Sequence, residues 1–231
     1  MKILPFTLAR GDEQTPINLH INRMVNAGFA ARDQELVNKH IQELRKEGVP
    51  APEETPTLYP VSPYMITQEG TVCALDRRTS GEVEFVLIVN EGKVYVAVGS
   101  DHTDRDLETV SISKSKQMYP NIISKEVWLL KDIEELWDSL VLRSWVIVGN
   151  DRTLYQEAQL SALLAPEALL NLVRKKLKDS ALHGLAIYSG TTPVLSGKLV
   201  FGQTFEAELV NPLNQMRLTC EYKISVMEYL R

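Results

Sequence analysis

The sequence predicts a mostly β protein with several helices, of the α+β class, running as one continuous domain over residues 1–231. Three observations carry this. "EVEFVLIV" (82–89) and "KVYVAV" (93–98) are apolar, β-branched runs flanking "NEG" (90–92), a hairpin signal. The last third, "GLAIYSG", "KLVFGQTFEAELV" and "MRLTCEYKISVM", is again extended. Helical periodicity is confined to a few stretches, and no internal repeat or low-complexity linker interrupts the chain.

Residues 2–10 and 16–24 read as short strands around the "GDEQTP" turn. "RDQELVNKHIQELRKEG" reads as a helix: Asp33 caps it, Leu36, Val37, His40, Ile41 and Leu44 share a face, and Gly48 stops it. Four prolines between residues 50 and 60 make a stiff connector. This divides an N-terminal part (1–57) from a β-rich core (58–231). In that core "VWLL" and "WVIV" are further strands, 132–139 a short helix, and 153–178 a longer helical stretch interrupted at Ala165-Pro166.

Composition excludes several function classes. Apolar residues make up 44% and charged residues 24% of 231, with a net charge of −5. These are ordinary values for a folded domain, with no basic stripe for nucleic acid. "RKKLK" (174–178) suits a helix C-terminus. No 18-residue apolar stretch predicts a membrane span, and the N-terminus lacks a signal-peptide pattern, so a cytoplasmic location is expected. Cys73 and Cys220 form neither a disulfide framework nor a zinc motif, and both read as buried apolar residues. Trp128, Trp137 and Trp145, on three separate elements, read as core or interface rather than a binding box.

The segment "GSDHTDRDLE" (99–108) places dense charge directly after a buried strand. Glu82 and Glu84, two apart on the preceding strand, point to one face with Cα atoms about 6.5–7 Å apart. Antiparallel pairing brings Asp101 beside them, away from the hairpin turn. Three convergent carboxylates form an oxygen-rich site suited to Mg²⁺ or Mn²⁺, with Ca²⁺ as a further option. An exposed strand end with solvated glutamates would give the same pattern. His40 and Glu43, three apart, share a helix face and could activate water as a carboxylate-oriented base; an amphipathic helix with an incidental His reads equally from these residues. His102 adjoins Asp101, and His183 falls in a turn before a strand.

Taken in order, "NKHIQELRKEGVPAPEETPTLYP", "EVEFVLIV", "VAVGSDHTDRDLE", "SKSKQMYP" and "YSGTTPVLSG" resemble the motifs of the fumarylacetoacetate hydrolase superfamily over residues 35–228, as a divergent bacterial branch. The resemblance implies that family's mixed β-sheet roll and a divalent cation held by Glu82, Glu84 and Asp101. It matches His40 and Glu43 to a water-activating dyad. Lys116 (Lys114 if the register slips by two) matches the lysine facing developing negative charge. Arg105, Glu108 and Thr191 fall at substrate-binding positions. It further implies a homodimer and a small carboxylate or dicarbonyl substrate. Three departures separate the chain from the family pattern: Ser100 replaces an Asn, Glu108 replaces a Gln, and "LYPVSP" lacks a lysine. The chemistry implied first is hydrolysis of a carbon–carbon bond next to a carbonyl. Decarboxylation or tautomerisation of a 2-oxo acid would use the same site, and a ligand-binding homologue without turnover would need none of it.

Overall fold

A computed structural model describes residues 2–35, 37–38, 41–42 and 52–229. In chain order its strands are β1 (Lys2–Arg10), β2 (Glu13–Ile21), β3 (Arg23–Gly28), β4 (Thr57–Val61), β5 (Ile66–Thr67), β6 (Thr71–Ala74) and β7 (Thr79–Ser80). Then come β8 (Val83–Asn90), β9 (Lys93–Asp101), β10 (Thr103–Asp104), β11 (Asn121–Ile123) and β12 (Glu126–Leu129). The chain ends with β13 (Val141–Val148), β14 (Asp151–Gln159), β15 (Leu185–Tyr188), β16 (Thr204–Val210) and β17 (Arg217–Val226). The mostly β class with few helices is as the sequence predicts.

A ten-stranded mixed sheet runs β2-β1-β12-β9-β8-β15-β3-β4, with β11 pairing β9 and β5 off this path. A second sheet of five strands runs β14-β13-β16-β17-β6. The β8–β9 hairpin is central because both of its faces are buried. Phe85 and Leu87 pack with Leu142, Val146, Phe205 and Leu209 of the second sheet. Val86 and Ile88 point the other way, into a core with Phe6, Ile21, Met24, Ile123 and Tyr188 inside the curled large sheet. A strand buried on both faces needs a continuous apolar run, which is why 83–90 does not alternate. Its turn is tighter than the sequence suggests. Asn90 pairs with Lys93, leaving only Glu91 and Gly92, both at positive φ (+48° and +75°), as a two-residue loop.

Three other expectations shift. The first hairpin closes through Gly11 and Asp12 alone, and Asn22 separates β2 from β3. Residues 153–159, expected to be helical, belong to β14, which pairs with β13 from Val141↔Gln159 to Val148↔Asp151. Tertiary pairing there overrides the helix propensity of Leu, Gln, Glu and Ala. The helix begins only at Pro166, which occupies the first turn where its missing N–H costs nothing, and ends at Lys176. Cys220 is buried but Cys73 is exposed, since it faces outward from edge strand β6. Trp128 and Trp137 fill the inter-sheet core, whereas Trp145 lies beneath Arg152, 4.0 Å from guanidinium carbon to ring centroid.

Close packing requires a small residue at position 99 of β9. A Cβ on Gly99 would come 2.5 Å from the Ile122 carbonyl oxygen and 2.9 Å from the Tyr188 ring. Gly99→Ala should therefore lower stability by about 1–3 kcal/mol, the usual cost of overpacking, read as a fall in the urea midpoint. An unchanged midpoint would contradict this close approach of backbone and ring.

Candidate metal centre

Glu82 immediately precedes β8, Glu84 is its second residue and Asp101 is the last residue of β9. The Asp101 N–H donates to the Glu82 carbonyl (3.1 Å), and the Glu82 N–H donates to Ser100 Oγ (3.1 Å). The pairing fixes three side chains on one end of the sheet, and one carboxylate oxygen from each lies within 4.8 Å of the others. Glu84 and Asp101 are fully buried, and Glu82 is 15% exposed at its side chain. A solvated strand end does not look like this.

Buried carboxylates need compensation, and the segment after β9 supplies it. Asp104 caps the helix Arg105–Val110 by accepting from the Leu107 N–H (2.8 Å). That turn drives Arg105 inward, where it donates to Ser80 Oγ (2.8 Å), Glu82 Oε1 (2.8 Å) and Glu108 Oε2 (2.9 Å). A second short helix, Ile112–Ser115, ends at Lys116. Its ammonium donates to Asp101 Oδ2, lies 3.6 Å from Glu82 Oε2 and sits 5.9 Å from the Tyr59 ring centroid. Lys114 is exposed, so Lys116 is the lysine among the carboxylates. Of the charged stretch 99–108, Asp101, His102, Asp104 and Arg105 are buried, and only Asp106 turns out, to pair with exposed Arg78.

The electrostatics follow from this packing. Burial opposes charge on Glu82, but Arg105 and Lys116 outweigh it and hold the carboxyl below its usual range. Burial, reinforced by Asp101, pushes the Glu84 carboxyl well above its usual range, although Lys116 pulls the other way. Burial opposes charge on Lys116 too, yet Asp101, Glu82 and Glu84 raise it and keep the ammonium charged. Glu84 Oε2 accepts from the Gly190 N–H (2.8 Å), while Glu84 Oε1 and Asp101 Oδ1 are buried with no hydrogen-bond partner among the described residues. Four carboxylates, from Glu82, Glu84, Asp101 and Glu108, face two cations, Arg105 and Lys116. An all-oxygen cluster with two unpartnered oxygens and an excess of acid fits a hard divalent cation held by Glu82, Glu84 and Asp101.

Thr191 is adjacent but otherwise engaged. Its hydroxyl donates to the Val83 carbonyl (2.8 Å) and accepts from Gln156 Nε2 (2.8 Å), whereas the buried hydroxyl of neighbouring Thr192 has no partner among the described residues. His40 and Glu43 lie outside the described residues, as does Gly48. Of their predicted helix, residues 34–35, 37–38 and 41–42 are helical, Asp33 Oδ1 accepts from the Glu35 N–H (3.0 Å), and Val37 and Ile41 are buried. His183 lies in its turn, accepting from the Glu91 N–H (3.1 Å).

Beneath the cluster lies a polar network of which sequence spacing points only to His102. His102 Nε2 lies 2.8 Å from Thr79 Oγ1, which donates onward to the Thr103 carbonyl (2.9 Å). His102 Nδ1 lies 2.9 Å from the Tyr222 hydroxyl, itself 2.9 Å from Ser100 Oγ. Because the single Thr79 proton goes to a carbonyl, the satisfying assignment has Nε2–H donating to Thr79 and Nδ1 accepting from Tyr222. The imidazole is thus neutral. Burial, with Arg105 nearby, lowers its pKa to about 3.

That shift has a defined sign. The unfolded chain takes up this proton near pH 6.5 and the folded one only near pH 3, so stability present above pH 6.5 is lost as pH falls between them. The slope from this group alone is about 1.4 kcal/mol per pH unit. Urea unfolding at pH 7, 6 and 5 should show the decline, and His102→Gln should remove most of it; a variant with the same decline would rule out a buried neutral imidazole.

A family model described as "Protein of unknown function (DUF2848)" matches residues 27–222. No curated protein matches the sequence. Solved structures with a similar fold include Cg1458 (TM-score 0.59, 15% identity, covering 94% of this chain and 82% of that one). They also include 2-keto-3-deoxy-D-arabinonate dehydratase in its apo form (TM-score 0.63, 12% identity, 90% and 74% covered). That dehydratase complexed with magnesium and 2,5-dioxopentanoate gives a TM-score of 0.62 at 12% identity, with 88% and 73% covered. At these identities the likeness is one of fold, and the fold is fumarylacetoacetate hydrolase-like. With its match over most of the length, the chain belongs to the DUF2848 family.

Proposed function

We propose that the protein is a divalent-cation-dependent enzyme that generates an enolate from a small 2-oxo acid or β-dicarbonyl compound, with carbon–carbon bond hydrolysis as its reaction. The observation that carries this reading is the buried triad Glu82, Glu84 and Asp101 with a charged lysine against it. A bound divalent cation, Mg²⁺ or Mn²⁺, supplies Lewis acidity toward a substrate carbonyl.

The remaining work falls to the chain's own side chains. Lys116, kept protonated by its acidic neighbours, places positive charge where an enolate oxygen develops negative charge. Arg105 is a positioning residue: its bonds to Ser80, Glu82 and Glu108 hold Glu82 in place. Glu108 reaches the site through that same guanidinium, and Thr191 ties the 190–192 loop to the start of β8. His40, oriented by Glu43, would take a proton from water as its oxygen attacks the carbonyl carbon. The carbon–carbon bond then breaks, its electron pair enters the enolate, and protonation at carbon completes the products.

A second reading, loss of a β-hydroxyl from a 3-deoxy-2-oxo acid, draws support from the magnesium-complexed dehydratase of similar fold. It needs the same enolate but no attacking water. Product analysis in ¹⁸O-labelled water separates the two: hydrolysis puts label into a new carboxylate, whereas a water-releasing reaction does not. For the hydrolase, His40→Ala should abolish turnover while cation binding persists. Retained hydrolysis would remove His40 from the reaction. Lys116→Ala should lower kcat by about 10²–10³-fold, the scale of losing one preorganised charge-stabilising group. The proposed assembly is a homodimer acting on a small molecule.

A further inference from the structure

A cleft of about 390 Å³ lies between the 130–138 segment, Arg32 and the start of the helix Pro166–Lys176, and shares no residue with the acidic cluster. That volume suits a small organic molecule. Its buried wall is Trp137, 4% exposed, whose ring meets Phe85 in the inter-sheet core (centroids 4.9 Å apart, planes at 88°). Phe85 and Glu84 are successive residues of β8, so Trp137 and the Glu84 carboxylate lie on opposite faces of that strand. The Trp137 Nε1 atom is buried with no hydrogen-bond partner among the described residues. Beside it, Ala165 at the N-cap position has no polar side chain to cap the first-turn N–H groups of the helix. The rim has the opposite character, with Glu134, Glu135, Asp138 and Glu167 exposed around Arg32. Arg32 is already engaged: its Nε donates to the Leu163 carbonyl (2.7 Å) and its terminal nitrogens donate to Asp138. Glu134, Glu135 and Glu167 have no cationic partner among the described residues.

Folded proteins leave few buried polar groups unpaired, since each unmade bond forfeits the hydration it lost. An indole N–H can only donate, so Trp137 calls for an acceptor from outside the chain. The uncapped helix start presents further N–H groups and the positive end of its dipole to the same cleft. The inner wall thus asks for an oxygen, and the rim asks for positive charge. A metal ion or a simple polyamine brings no acceptor. A simple anion would meet three unpaired carboxylates on its way in. A molecule with a carbonyl oxygen at one end and a cationic group at the other satisfies both.

We infer that this cleft is a second binding site, for an amino-acid-sized organic cation that carries a carbonyl oxygen. The oxygen accepts from the Trp137 Nε1–H at the inner wall, and the cationic end meets Glu134, Glu135 and Glu167 at the rim. The site stands apart from the cation-dependent chemistry proposed above and does not rest on it. The test follows the indole ¹H–¹⁵N resonances of the ¹⁵N-labelled protein during titration with L-argininamide and with agmatine, which is the same molecule without its carboxamide. The Trp137 resonance is assigned through its ring contact with Phe85, so no core variant is needed. Argininamide should move that resonance downfield to saturation and leave Trp145 unmoved. Agmatine should bind about tenfold more weakly, the scale of one hydrogen bond lost from a buried donor, and cause no downfield movement. Glu134→Gln/Glu135→Gln, two exposed changes, should weaken argininamide about fivefold. A Trp137 resonance that does not respond to argininamide would overturn the inference. Equal affinity for agmatine would overturn it too, leaving an acidic rim that merely attracts counter-ions. Unchanged argininamide affinity in the double variant would remove the carboxylates from the site and overturn it likewise.

Discussion

Burying acid next to acid is the constraint around which the centre of this molecule is organised. Glu84 and Asp101 are fully enclosed with oxygens of Glu82 close by, an arrangement that repulsion and lost hydration oppose. Two buried cations make it tolerable. Lys116 is brought in by a four-residue helix and Arg105 by the helix that Asp104 caps. Lys116 bonds Asp101 of β9 and lies near Glu82, and Arg105 bonds Glu82, so the charge pairs also fasten the 105–116 segment to the end of the hairpin. Removing Lys116 would leave Asp101 buried and uncompensated, far costlier than losing a surface ion pair.

The β8–β9 hairpin delivers the carboxylates because it is apolar on both faces up to its last turn. Only where the hairpin reaches the end of the roll does polarity return, and there it returns all at once. Glu84 faces inward toward the curled sheet, while Ser100 and His102 face the second sheet and bond with Tyr222 of β17. The neutral histidine, tyrosine and serine fill that layer with satisfied hydrogen bonds rather than charge. A rigid, uncharged floor beneath a charged cluster keeps the carboxylates converged, which is what cation binding requires of them.

Much of this was legible in the sequence because it is local. The unalternating run from Val83, the two-residue spacing of Glu82 and Glu84, and the proximity of Asp101 across a short turn all sit within twenty residues. The ordered motifs that resemble the fumarylacetoacetate hydrolase superfamily led to the same fold that the structural likenesses show. What was not legible is assembled at long range. His102 meets Tyr222, 120 residues away, and the cleft over Trp137 joins Arg32 to the start of the helix at Pro166. β14 was misread because its composition suits a helix, and only its partner β13 makes it a strand. The resemblance points to Thr191, whose hydroxyl the structure shows occupied by Val83 and Gln156.

The central claim is that Glu82, Glu84 and Asp101 form a cation site rather than a self-contained charge network. Thermal unfolding in EDTA, Mg²⁺ and Mn²⁺, for the wild type and for the Glu82→Ala/Glu84→Ala double variant, tests it most directly. A ligand that binds only the folded state adds about 2.7 kcal/mol at a hundred times its dissociation constant. The account predicts a rise in the wild-type Tm with either cation and none in the double variant. A wild type whose Tm is the same in EDTA and in saturating Mg²⁺ or Mn²⁺ would contradict it.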